Sequence, residues 1–344
     1  MQPVLVLVEC DGAEGAVCVS GYRLLGMARR LGTPVAVVRR PVEPRVIAAL
    51  GRYGAARVCV VEDMTEPTGG TADPGAARGV ASTAVAVQAI SELAWQMSAV
   101  AVLVPSDREG REIAARVAVR LGSGIVTDAV DVFADPDGPV TVQEVCGGAY
   151  RVESVVRGTT PVVTVACGSA APAPAPDEVA LEPAVELMRI ALPEAERRVR
   201  VVARTRKPDR RPSVAAASVV VAGGRGVGSA EGFALVEKVA DALGAAVGGT
   251  HAAADLEWCP HDALIGQTGA IVHPRLYIAC GISGSVHHRA GIQHAATIVA
   301  IDRDPSAPIF QIADVGVVGD LHEVLPALLE ELARRRNPVA TQAI

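Results

Sequence analysis

Aromatic side chains are scarce, with phenylalanine, tyrosine and tryptophan together at 3% of 344 residues, although half of the chain is hydrophobic. The apolar content is therefore an excess of alanine and valine, and no apolar run is long enough to span a bilayer, which excludes a transmembrane helix. An excess of basic charge is also missing. The formal net charge is −6, the preference for arginine over lysine forms no patch, and nucleic-acid binding is not expected. Paired cysteines are absent: Cys10, Cys18, Cys59, Cys146, Cys167, Cys259 and Cys280 are scattered singly with no CxxC. Neither a disulfide framework nor a zinc site is signalled. The first residues, Met1 to Glu9, lack the basic start of a signal peptide and read at once as a buried strand, so a cytoplasmic protein is expected. Histidine is missing from the first 250 residues. All seven lie between His251 and His322, which points any redox or acid–base chemistry to the end of the chain.

What is present is a repeating alternation. A chain of 344 residues is comfortable as two domains, each with its own core. Short valine-rich runs alternate with helical patterns: Val4–Val8 then Gly21–Leu31, Val35–Val38 then Pro44–Tyr53, Val58–Val61 then Ala76–Met97, Val100–Val104 then Arg108–Leu121. Strands apolar on both faces and followed closely by helices predict a doubly wound parallel sheet. Val126–Phe133, Val140–Val145, Ala149–Val156 and Val162–Cys167 read as further strands, with Gly147-Gly148 as a turn. The Pro/Ala segment Ala170–Asp177 favours an extended spacer, and two more strand-like segments, Val185–Leu192 and Arg198–Thr205, precede the charged run Arg206–Arg211. The expected organisation is an α/β domain over 1–169, a spacer with two strands and a charged linker over 170–213, and a second, compact α/β domain over 214–344. Both domains are expected to be doubly wound and Rossmann-like.

The second domain opens on Val219-Val220-Val221-Ala222-Gly223-Gly224-Arg225-Gly226-Val227-Gly228-Ser229, a strand entering a glycine-rich turn and then a helix. Such a turn offers backbone N–H groups to an anion, and Arg225 adds a charged fork. Alone this is a commonplace pattern. Three further polar loops lie after or between predicted strands, the first two of them marked by glycines: Ile265-Gly266-Gln267-Thr268-Gly269, Cys280-Gly281-Ile282-Ser283-Gly284-Ser285-Val286-His287-His288, and Asp302-Arg303-Asp304-Pro305. Four polar strand ends within about a hundred residues favour a nucleotide-sized ligand over ordinary surface turns.

These segments carry a resemblance. Gly266-Gln267-Thr268-Gly269, Pro274-Arg275-Leu276-Tyr277-Ile278-Ala279, Gly281-Ile282-Ser283-Gly284, Ala307-Pro308-Ile309-Phe310 and Ile312-Ala313-Asp314, in that order, resemble the alpha-subunit signature of electron transfer flavoproteins. Gly224-Arg225-Gly226, Gly248-Gly249-Thr250 and, in the first domain, Ser123-Gly124 through Asp128 fit the same family.

The resemblance implies FAD in the second domain and a first domain that shapes the interface with a beta subunit carrying AMP. It implies electrons received from flavin-dependent dehydrogenases and passed to a quinone reductase or another acceptor, a carrier with no substrate-converting chemistry of its own. By the same resemblance, Arg225 stands beside the FAD phosphates and flavin, and Thr250 replaces a serine of most relatives. Ile265, Gly266, Gln267 and Thr268 border the flavin. Ser283, Gly284, Ser285 and Val286 form the phosphate and ribityl loop, His288 lies at the pyrimidine end, and Asp320 and Leu321 fall at the adenosine end. A donor at the pyrimidine end would favour negative charge on a reduced flavin.

Three positions depart from the family pattern. His251 stands where most relatives carry arginine, so a permanent cation gives way to a group whose charge depends on pH, and a pH-dependent flavin potential is expected. Asp302 replaces an asparagine near the adenosine, and His287 stands where glutamine is common. Cys259 and His261 are unusual too, but supply too few ligands for a metal. Trp95, Trp258 and Cys280 are expected to be packing residues. A rival reading is a non-redox nucleotide-binding or assembly subunit that has lost normal FAD use. A nicotinamide enzyme is disfavoured because Gly224-Arg225-Gly226-Val227-Gly228 lacks GxGxxG spacing.

Overall fold

The computed structural model describes residues 2–10, 17–39, 42–64, 80–146, 148, 150–158, 160–166, 172–176, 182–197, 211–215 and 217–336. The chain divides into two compact units, Met1–Glu144 with Arg151–Arg206, and Val145–Tyr150 with Lys207–Ile344.

The first unit runs β1 (Pro3–Val8), α1 (Val19–Leu31), β2 (Thr33–Arg39), α2 (Pro44–Arg52), β3 (Arg57–Asp63), α3 (Val80–Gln96), β4 (Ala101–Pro105), α4 (Arg108–Leu121), β5 (Ile125–Asp135), β6 (Gly138–Val145), β7 (Tyr150–Val155), β8 (Val162–Val165), β9 (Ala184–Ile190) and the single turn α5 (Glu194–Arg197). Its nine strands form one sheet in the order β7-β6-β5-β8-β4-β1-β2-β3-β9. The pairings from β5 through β8, β4, β1, β2 and β3 to β9 are parallel, while β5 and β6 are antiparallel.

Alternation along the strands builds a core on each face. Leu5, Leu7, Val35, Val37, Val102 and Val104 pack with α3 and α4. Val4, Val6, Val8, Ala36, Val38 and Leu103 pack with α1 and α2. Each such side chain is fully or almost fully buried, worth about 1.5–3 kcal/mol for each valine or leucine relative to exposure. Local signals fix the helix ends: the Asp107 carboxylate accepts from the Gly110 N–H at 2.6 Å to start α4, and Gly122 closes it at φ 60°.

The strand expected at Val185–Leu192 is β9, which joins the first sheet at its edge beside β3 and is held by Arg57–Glu186 at 3.4 Å and Arg189–Glu62 at 3.1 Å. The strand expected at Arg198–Thr205 lies outside the described residues. Trp95, expected to pack, is 70% exposed. It sits at the last turn of α3, whose buried side is already filled by Ile90, Leu93 and Ala94.

The second unit runs β10 (Val219–Gly223), α6 (Ala230–Leu243), β11 (Ala246–Gly249), α7 (His251–Asp255), β12 (Leu276–Cys280), α8 (Val286–Arg289), β13 (Ile298–Asp302), β14 (Val315–Val318) and α9 (Leu321–Arg336). The five strands are all parallel, in the order β11-β10-β12-β13-β14. Val221, Ile278, Cys280 and Ile301 face a core with α6 and α9. Val220, Ala222, Tyr277, Ala279 and Ala300 face the opposite one, covered by Ile265, Ile282, Ile292 and Ile309. Both units are thus α/β and wound with structure on both faces of a mainly parallel sheet.

Candidate functional site

Parallel pairing brings the carboxyl ends of β10, β11, β12, β13 and β14 to one edge of the second sheet. Gly223 sits beside Gly249 and Cys280, and Asp302 beside Val318. Strand order reverses between β10 and β12, so the loops leaving them diverge. That is where open α/β sheets place ligands.

The two loops meet backbone to backbone. The Gly224 N–H donates to the Cys280 carbonyl at 3.0 Å, and the Gly226 N–H donates to the Gly281 carbonyl at 2.9 Å. Gly281 has φ 61°, and a Cβ there would lie 2.7 Å from the Gly226 carbonyl carbon. These glycines are therefore required by the seam itself. Between them, a short 3-10 turn, Arg225–Val227, projects Arg225 outward. Arg225 is exposed, and its guanidinium has no hydrogen-bond or ion-pair partner among the described residues. Ser229 then starts α6 by accepting from the Gly232 N–H at 3.1 Å.

At the end of β11, the Thr250 hydroxyl oxygen accepts from the Ala253 N–H at 3.3 Å, starting α7. His251 is exposed on that turn, with Nε2 3.5 Å from the Asp255 carboxylate. The loop 264–270 lies alongside: the Ile265 N–H donates to the Gly249 carbonyl at 2.9 Å, and the Gly269 N–H to the Gly266 carbonyl at 3.0 Å. Gly266, with φ 143°, brings the chain against the His287 carbonyl. Gln267 and Thr268 are exposed, and the Thr268 hydroxyl has no partner among the described residues.

After β12, Ser283 is exposed and its carbonyl accepts from the Ile309 N–H at 2.9 Å. Gly284, with φ 84°, packs on the backbone of Ile309. The Ser285 hydroxyl oxygen starts α8 by accepting from the His288 N–H at 3.4 Å. Val286 is 59% exposed, and His287 is exposed, with Nδ1 2.7 Å from Gln267 Oε1.

His288 is turned inward. It is buried, its Nδ1 is 3.1 Å from the Ile265 carbonyl and its Nε2 2.9 Å from the Tyr277 hydroxyl. A carbonyl only accepts, so Nδ1 carries the proton and Nε2 accepts from tyrosine. Burial lowers the His288 pKa to about 4 and raises that of Tyr277 well above its usual value. His288 is therefore a neutral group whose two nitrogens are both used inside the chain. Ile265 and Leu321 are also turned into cores, so those two positions can face a ligand only through backbone. Cys280 is fully buried with its thiol pushed up to about 12, a packing residue. Trp258 packs against the core beside α6.

Asp302 closes β13, with Oδ1 accepting from the Asp304 N–H at 2.9 Å. Asp320 Oδ1 accepts from the His322 N–H at 2.8 Å and starts α9. Each carboxylate keeps a second oxygen at the same edge. The edge thus gathers a cation, hydroxyls, an amide and two carboxylates around a seam free of side chains. The role of Tyr277 and the closeness of Gln267 and His287 were not read from sequence. The only signal for them was the His287-His288 dipeptide following β12.

The family described as "Electron transfer flavoprotein FAD-binding domain" matches residues 213–293, and "Electron transfer flavoprotein domain" matches residues 5–191. The electron transfer flavoprotein subunit alpha of Mycobacterium leprae is 42% identical over 341 residues, 98% of this chain and 100% of that protein. That of Mycobacterium tuberculosis (strain CDC 1551 / Oshkosh) is 42% identical over 342 residues, with the same coverage. That of Paracoccus denitrificans is 54% identical over 122 residues, 36% of this chain and 40% of that protein.

Proposed function

The chain belongs to the electron transfer flavoprotein alpha-subunit family, and from that premise we propose that it holds FAD along the strand-end edge of its second unit and carries electrons as half of a heterodimer with a beta subunit. The observation that carries this reading is the exposed Arg225, without a partner among the described residues, on the loop where the ends of β10 and β12 meet, inside the segment matched by the FAD-binding family.

The residues present fit such a group. The seam of Gly224, Gly226 and Gly281 closes the two loops onto each other and so holds the Arg225 turn at this edge. The Arg225 guanidinium supplies a fork for a phosphate oxygen. Ser283 and Ser285 are exposed hydroxyls, and Ser285 keeps its own proton to donate, since within the chain its oxygen accepts. Asp302 and Asp320 each offer an oxygen to a ribose hydroxyl. Thr268 and Gln267 supply donors where the conjugated ring would lie, and Thr250 and His251 border the β11 side.

When bound, FAD supplies reversible one- and two-electron chemistry. The chain's own residues bind it, orient it and set the local charge. His288 acts here by holding the Ile265 carbonyl in place, without adding positive charge at neutral pH. No nucleophile or general base is called for. In this reading, flavin-dependent dehydrogenases are the donors, a quinone reductase or another acceptor takes the electrons, the first unit shapes the beta-subunit interface, and AMP resides in that partner. The cytoplasm is the proposed compartment. No helix among the described residues is long and apolar enough to cross a membrane.

The test is the visible spectrum of the heterodimer purified with its beta subunit. A flavin spectrum that bleaches on reduction and returns on reoxidation is expected. A colourless heterodimer that takes up no added FAD would instead favour the non-redox assembly subunit.

A further inference from the structure

Two loops of the second unit are fastened to each other where Gln267 meets His287. The Gln267 N–H donates to the His287 carbonyl at 2.8 Å, and the His287 ring returns the contact, with Nδ1 2.7 Å from Gln267 Oε1. Next along α8, His288 Nδ1 donates to the Ile265 carbonyl. The neighbouring histidines thus grip residues 265–267 at three points. The approach depends on Gly266, where a Cβ would lie 2.9 Å from the His287 carbonyl oxygen.

The contacts differ in what they fix. Two involve backbone groups and set only the path of the loop. The third sets which end of a carboxamide is used up. An amide oxygen cannot donate, so the His287 nitrogen facing it must carry a hydrogen. With Oε1 committed to His287, the two amide hydrogens on Nε2 are left for the ligand side.

We propose that His287 is a positioning residue for FAD: it fixes the Gln267 carboxamide with its oxygen turned away and its N–H donors toward the flavin. The proposal rests on the reading that Gln267 borders the flavin. The consequence is electrostatic. Negative charge that develops on a reduced ring is favoured by a donor aimed at it in advance and opposed by a carbonyl oxygen in the same place. Without His287, the amide is free to turn, and both presentations are populated.

A mutant cycle on the heterodimer tests this through FAD affinity and midpoint potential, neither of which depends on turnover. His287→Phe keeps a ring but removes the donor, and Gln267→Leu removes the amide. Both side chains are exposed, and the melting temperature of each FAD-free heterodimer checks that folding is intact. We expect His287→Phe to weaken FAD binding by about three- to tenfold, the worth of one neutral hydrogen bond, and to lower the potential. We expect it to change neither in the Gln267→Leu background, and His287→Asn, which restores a donor near the Nδ1 position, to recover most of the loss. Additive effects of the two substitutions would overturn the positioning role. If Gln267→Leu alone leaves affinity and potential at wild-type values, the placement of Gln267 beside the flavin fails first. Nitrogen chemical shifts of the His287 ring give an independent reading: a proton on Nδ1 is expected, and a ring protonated only on Nε2 would contradict the proposal.

Discussion

The Tyr277 hydroxyl donates to His288 Nε2 across 2.9 Å, and the opposite nitrogen of the same ring holds the Ile265 carbonyl that opens the Gly266–Thr268 loop. A buried relay therefore supports the candidate site from beneath, with no free nitrogen left to face a ligand.

This relay makes stability sensitive to acid. Burial depresses the His288 pKa from 6.5 to about 4. The unfolded chain takes up a proton below 6.5 that the folded chain refuses. The contribution is complete above 6.5 and is lost as the pH falls through about 4. Denaturant unfolding at stepped pH should show wild-type stability falling across that window, with a shallower fall for His288→Gln. Equal slopes for the two proteins would count against the assignment.

Tyr277→Phe should cost more than its single oxygen suggests. It leaves His288 Nε2 buried without a donor, a loss of about 1–3 kcal/mol. Urea unfolding measures it, and a change below about 0.5 kcal/mol, within the range of surface substitutions, would mean that the relay contributes little.

In the first unit the sign is opposite. Glu9, at the end of β1, is raised from 4.5 to about 7 by burial, then by the nearby Asp107 carboxylate, with Arg39 opposing. Arg39 lies 3.6 Å from Glu9 and 2.7 Å from Glu109, so one guanidinium is divided between carboxylates. Because the folded pKa is the higher one, the contribution is full below 4.5 and is lost as the pH rises through about 7. Glu9→Gln should therefore be more stable than wild type in alkaline buffer, with the advantage shrinking as the pH drops toward 4.5. A pH-independent difference would contradict this.

Much of the fold was legible because its signals are local. Strands apolar on both faces announced parallel sheets, and Ser229 with Gly244 marked both ends of α6, the latter at φ 63°. What sequence concealed depends on distant partners. β9 lies between a Pro/Ala segment and a charged run, and only its pairing with β3 makes it part of the first sheet. The strand-end loops were readable as a ligand edge from glycines and polar residues, but the direction of each side chain was not. His288 is turned inward, where the Tyr277 hydroxyl and the Ile265 carbonyl pair both of its nitrogens, and Leu321 packs in the same core as Leu325. Trp95 is turned outward because smaller residues fill the buried side of α3.

The loop seam makes a steric prediction. In Gly281→Ala, the new Cβ meets backbone at 2.7 Å in a residue with φ 61°, where nothing can yield cheaply. A loss of about 2–5 kcal/mol is expected. Gly228→Ala is the control: its φ is 87°, but nothing lies within 4 Å of the added carbon, so only backbone strain of about 1–2 kcal/mol applies. Thermal melts of both variants decide the matter, and similar losses would mean that the seam is not tightly packed.

The central claim is that FAD lies along this edge with Arg225 on its phosphates. A fluorescence titration of FAD into the flavin-stripped heterodimer, wild type against Arg225→Met, tests it most directly. The account predicts stoichiometric binding by wild type and an affinity about tenfold to a hundredfold weaker in the variant, the worth of a charge-assisted hydrogen bond. Equal affinities, or a wild-type heterodimer that binds no FAD, would contradict it.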